Sequence, residues 1–226
     1  MVSEEQRYPE LVVAVSEPAA VGEHNRSVGE PVELSKGLKG IDLNYTELHR
    51  GHTESHRVKH IMPKIRKTLG KADSPYIVSL RRLIESKSKA TIAEWCISYA
   101  ETHILHIFEK ECPGDFRPRN ALSAARDWLA GNVKLPAVKK VILYECHAAA
   151  RELNNNPVAQ AAARACGQAA SAIHVQTHAL GLAFYGSAAI AYQRFGVNES
   201  AEIYNQFAAE ECTKLEADLR AYIKKR

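Results

Sequence analysis

The 226 residues contain no Cys-x-x-Cys pair, no glycine-rich phosphate loop and no Gly-x-Ser-x-Gly elbow. Their absence removes zinc ribbons, P-loop nucleotide hydrolases and serine hydrolases of the α/β type from consideration. Cysteines number five (Cys96, Cys112, Cys146, Cys166 and Cys212), an odd and scattered set that fits small apolar roles in a reduced, cytoplasmic setting. The first apolar run, Leu11 to Val15, is short and follows Glu4 and Glu5, so no secretory signal is expected. A formal charge of +4 is too small to imply nucleic acid on its own. Past residue 60 there is no alternation of period two, which leaves little room for a sheet.

What the chain does have is uneven charge. Residues 1–56 carry 10 acids and 5 bases, residues 57–89 carry 10 bases with only Asp73 and Glu85, and residues 90–226 are near neutral. Three parts follow: an acidic, mostly irregular extension (1–56), a basic helical segment packing on or preceding the core (57–89), and a helical body (90–226). In the basic segment Val58, Ile61, Ile65 and Leu69 form one helical stripe, interrupted by Pro63. Arg81 and Arg82 are its candidates for a partner surface. The segment lacks base-stacking aromatics, so nucleic acid is an unfavoured alternative there.

Helix signals then come in order. Ser74-Pro75, Thr91, Pro118, Pro136, Pro157 and Asn198 or Ser200 open helices; Pro113-Gly114, Gly131, Asn154 to Asn156 and Gly196 close them. The fold class is all-α: a multi-helix bundle around a long alanine-rich central helix, with an irregular N-terminal extension. That central helix is expected to run unbroken from Pro157 to Phe195. Its stretch 165–193 has no Lys, Arg, Asp or Glu. Gln168, His174, Gln176 and His178 would each need a partner in lipid, so a bundle centre is expected and membrane contact is not.

On that helix Arg164, Gly167, Ser171, His174, His178, Gly181 and Tyr185 recur at three- and four-residue spacing and share one face. His174 and His178, one turn apart, could bind a metal with His147 as third ligand. The metalloprotease pattern needs Glu after the first His, and that position is Val175. The preferred expectation is therefore no metal and no cofactor, with both histidines hydrogen-bonded in the core. Glu101 lies among Ile97, Ile104, Leu105 and Phe108, so it should be buried and paired, with Arg126, Arg151 and Arg164 available from other helices. Asp115, Arg117 and Arg119 read as a helix entrance, with an anion site on the two arginines as a weaker alternative.

Several strings carry a family resemblance. They are Cys96-x4-Glu101, Phe108-Glu109, Asp115-x-Arg117-Pro118-Arg119-x2-Leu122, Ala125-Arg126-x-Trp128 and His147-Ala-Ala-Ala-Arg151. Ala163-Arg164-Ala-Cys-Gly167 and His174-Val175-x-Thr177-His178-Ala179-x-Gly181-x-Ala183-x-Tyr185 complete the set. In this order, over roughly residues 95–192, the chain resembles the immunity-5-like domain of small all-α prokaryotic immunity proteins. The resemblance implies a non-catalytic protein that binds and neutralises a protein partner such as a cognate toxin. It leaves the oligomeric state open, a homodimer included. The alternative of a different class is a small helical metal protein or hydrolase built on Glu101, His147, His174 and His178.

Overall fold

The computed structural model describes residues 65–226, all of which fall in one compact unit. The acidic extension, Leu11 to Val15, and Val58 and Ile61 of the basic stripe lie outside the described residues. All regular structure among the described residues is helical. Residues 65–74 are not helical, so the stripe expected from Val58 to Leu69 is corrected over Ile65 to Leu69. This stretch is instead pinned to the body: the Leu69 amide donates to the Phe184 carbonyl (3.1 Å), Tyr192 donates its hydroxyl to the Arg66 carbonyl, and Leu69 is buried.

Helix α1 (Pro75–Glu85) follows Ser74, with Pro75 in the first turn, and turns Ile77, Leu80 and Ile84 inward. These three belong to the same core as the body, so no packing boundary falls at residue 89. Helix α2 (Lys89–His103) starts at Ser88, whose hydroxyl accepts the Thr91 amide at 3.1 Å. The chain bends at Ile104 into α3 (Leu105–Glu111), and α4 (Arg117–Leu129) begins with Pro118 in its first turn. Helix α5 (Leu135–Lys140) continues through a π-helical stretch, Val141–Cys146, into α6 (His147–Glu152).

Helix α7 (Pro157–Ser171) is the centre. Asn156 caps it by accepting the Ala159 amide at 3.1 Å, and it packs against α2, α3, α4, α6 and α8 (Ser187–Phe195). The expected unbroken helix from 157 to 195 is corrected here. A straight helix of that span would be about 58 Å long and could not touch itself. Instead the chain turns at Ala172 to Val175, forms a short 3-10 turn (Gln176–Ala179) and a π-helical stretch (Leu182–Gly186), then enters α8, which packs back on α7. The break falls where β-branched Ile173, Val175 and Thr177 alternate with other residues, a run that lowers helix propensity. It also lets both halves of one uncharged segment bury alanine against alanine. Among the described residues no helix is long and apolar enough to cross a membrane.

Helix α9 (Ala201–Lys224), capped by Ser200 onto the Ile203 amide, closes the body. It lies on α1 and α8 and reaches α2, where the Trp95 indole N–H donates to Asp218 at 2.7 Å.

Two glycines set how closely the layers meet. A Cβ on Gly181 would stand 2.3 Å from Gln168 Cβ, and one on Gly167 would stand 2.6 Å from His147 Cε1. Neither space exists without moving a neighbour. Gly181→Ala should therefore destabilise the protein by about 1–3 kcal/mol in chemical denaturation, as overpacked cores do. Gly186→Ala, whose Cβ would meet only the Ile104 tip at 3.3 Å, should cost much less. Equal effects at both positions would contradict the close-approach account.

Candidate functional site

The polar residues singled out above fall into three separate groups. The first is an ion pair between α2 and α4. Arg126 Nε donates to Glu101 Oε1 at 3.0 Å, its second nitrogen bonds Glu101 Oε2, and it also reaches Ser98 Oγ at 3.3 Å. The fork is bidentate, which fixes the two helices in register. Glu101 is not buried as expected: its side chain is 34% exposed and that of Arg126 is 47% exposed. Arg151 and Arg164 do not join it. Arg151 folds back on the Leu143 carbonyl of its own helical run, and Arg164 stands over the Tyr185 ring, 5.8 Å from its centroid.

The second group is the histidine cluster. His178 Nδ1 shares a hydrogen bond with Gln168 Oε1 at 2.7 Å, across the turn that returns the chain onto α7. His174 and His178 lie 5.4 Å apart by ring centroids, tilted by 53°. Both sit on the turn rather than on one helical face, so the shared stripe expected from Arg164 to Tyr185 breaks after Ser171. His174 Nδ1 is buried without a hydrogen-bond partner among the described residues. His147, half-buried at the end of the π-helical stretch, packs its ring against Gly167. Burial pushes His147 down to about 4, helped by Arg151, His178 and Arg164. Burial likewise lowers His174 to about 4, with His178, Lys139 and Lys89 adding to it, and burial lowers His178. No carboxylate offsets these effects. The imidazoles are neutral at pH 7 in a positive surrounding.

The third group is the helix entrance. Asp115 accepts the Arg117 amide at 3.1 Å and the Arg117 side chain at 2.8–3.1 Å, while Arg117 also pairs with Glu152 at 2.8 Å. The Arg117 hydrogen bond holds the Asp115 carboxyl below its ordinary range. Arg119 is taken by Glu109 at 2.7 Å. Both guanidiniums are therefore occupied by carboxylates, and the anion site considered for them is corrected to a set of structural clamps joining α3, α4 and α6.

Among the described residues no three His, Cys, Asp or Glu side chains gather as a metal-ligand set. Glu101 is engaged by Arg126 and the His178 Nδ1 by Gln168, so neither offers a free, activated base. Burial raises the thiols as well, Cys146 and Cys212 to about 12, so neither is a poised nucleophile. Sequence reasoning missed the Gln168–His178 bond because a continuous helix places those two side chains ten residues apart along its axis. The paired glycines, Gly167 and Gly181, were the available signal that something packs tightly there.

A family model described as Imm-5 like putative immunity protein matches residues 82–218. It reaches past the resembling strings into both α1 and α9. Neither the curated proteins nor the solved structures contain a match.

The histidine cluster makes stability pH-dependent with a definite sign. Their folded pKa values lie below the ordinary 6.5, so the unfolded chain binds more protons and stability rises with pH. Urea denaturation should show stability intact above about pH 7 and falling from about pH 6.5 toward pH 4. His147→Gln should flatten part of that fall; a variant with the wild-type slope would contradict the assignment.

Proposed function

The chain belongs to the Imm-5 like putative immunity protein family, and from that premise we propose that it binds and neutralises a protein partner, such as a cognate toxin, without catalysis. The bundle supplies the scaffold and an exposed charged face supplies recognition. This division follows from side-chain type. Gly, Ala and neutral buried His hold helices together, whereas solvent-facing charges steer encounter and select partners.

One observation carries the placement of that face. An open groove of about 430 Å³ runs between α1 and α9, lined by Pro75, Val78, Ser79, Arg82, Leu83 and Arg220. Its lining mixes apolar Pro75, Val78 and Leu83 with Arg82 and Arg220, a composition suited to recognition. Arg82 is exposed and Arg81 half-buried, and neither makes an ion pair among the described residues. Arg220 is steadied by Glu216 at 2.6 Å. With Arg82 in the groove and Arg81 beside it on α1, this face favours an acidic partner surface.

Charge reversal tests the placement without touching the core. Arg81→Glu with Arg82→Glu should weaken partner binding by roughly 10- to 100-fold at low salt, chiefly through the association rate. The melting temperature should barely move. Removal of residues 1–64 should leave binding intact, whereas a deletion through residue 89 would strip Leu69, Ile77, Leu80 and Ile84 from the core and report only unfolding. Full partner protection by the double reversal variant would move the interface elsewhere on the bundle.

A further inference from the structure

A second cavity, of about 240 Å³, opens where the segment preceding α1 crosses the start of α7. Its lining combines Arg66, Lys67 and Arg164 with Asn154, Gln160 and Tyr192, and no carboxylate lines it among the described residues. Three cations line one cavity, and an anion sharing that space would relieve their mutual repulsion. The geometry points to a binding site for a phosphate group, independent of partner recognition on the α1–α9 groove.

Each cation is held in place by a contact that leaves charge to spare. Tyr192 fixes the Arg66 backbone through its carbonyl, and Arg66 reaches Asn205 Oδ1, a neutral acceptor, at 3.1 Å. The buried Leu69 and its bond to the Phe184 carbonyl keep Lys67 on the same pinned segment. Arg164 stacks on Tyr185 and makes no ion pair among the described residues, in contrast to Arg117, Arg119 and Arg126. The contrast separates structural arginines from an available one. Gln160 donates to the Ala150 carbonyl at 2.9 Å, which fixes one wall. Burial is the main cause that lowers His147, and the charges of Arg151, His178 and Arg164 add to it.

Charge and size select the ligand class. Two guanidiniums and an ammonium match a phosphate dianion, whose oxygens accept paired N–H bonds, better than a single carboxylate. The volume lies below the roughly 300–1,000 Å³ of sites for drug-sized ligands, so the site takes inorganic phosphate or a small phosphate monoester.

The test is calorimetric titration of the full chain with inorganic phosphate and, separately, with glycerol phosphate, at constant ionic strength set by sodium chloride. Saturable binding of either, with a matching rise in melting temperature, is expected. Binding of both identifies the phosphate group as the determinant, and binding of the ester alone assigns the site to an esterified phosphate. Arg164→Gln should weaken binding about tenfold or more, and Lys67→Gln, an exposed change that spares folding, several-fold. Arg194→Gln, a cation outside the cavity, should bind like wild type. The proposal is overturned if neither probe saturates, if chloride gives the same stabilisation, or if folded Lys67→Gln and Arg164→Gln bind as wild type does.

Discussion

Everything in this fold depends on how closely other helices approach α7. Its buried residues are almost all Ala, with Cys166, Gly167 and Ser171 completing the set, so its backbone lies within reach of neighbours on several sides. Small residues contribute little apolar area each, about 0.8 kcal/mol per buried CH₂-sized group, and compensate by excluding space that larger side chains would leave. The larger apolar payload comes from outside: Trp95, Phe108, Ile92 and Leu122 are buried on helices that pack against α7, and Ile77, Leu80 and Ile84 are buried on α1. A slim centre with a bulky coat tolerates few additions at its contact lines. That is why Gly167 and Gly181, rather than any large hydrophobic residue, mark the tightest points.

The same crowding decides the electrostatics. Histidines pressed against Gly167 and Gln168 lose hydration, and with Arg151 and Arg164 nearby they stay neutral. Carboxylates are gathered elsewhere, on Arg117, Arg119 and Arg126, where they tie α2, α3, α4 and α6 together at partly exposed seams. Such exposed pairs add about 0–1 kcal/mol each and serve mainly to set register. Arg81 and Arg82 on α1 are among the cations that make no ion pair among the described residues. On the proposed reading, the α1–α9 groove would add apolar contact area to the charge of Arg81 and Arg82.

Much of this was legible in the sequence. Proline and cap residues placed the starts of α1, α4, α7 and α9 to within a residue or two, because Ser74-Pro75, Pro118, Asn156-Pro157 and Ser200 act locally. The partner of Glu101 was among those named, since Arg126 belongs to a neighbouring helix. Its exposure was misjudged because the apolar neighbours Ile97, Ile104 and Phe108 flank a carboxylate that leans out toward Arg126. The break after Ser171 was invisible to periodicity: an uncharged, small-residue run reads as helix whether or not it turns, and the β-branched Ile173, Val175 and Thr177 favour the hairpin together with tertiary contact with α8. The cavity at Arg164 was equally hidden, since Arg66 and Lys67 are about a hundred residues away in sequence and come near only through Tyr192 and Leu69.

Hydrogen exchange of the free chain against its complex with a stoichiometric protein partner tests the account most directly. The central claim is that α7 and its histidine cluster are scaffold, while the α1–α9 face is the working surface. The amides of α7 should exchange slowly in both states, and new protection should appear along Pro75–Glu85 and the facing turns of α9. New protection centred on His147 and the His174–His178 turn, with α1 and α9 unchanged, would contradict it.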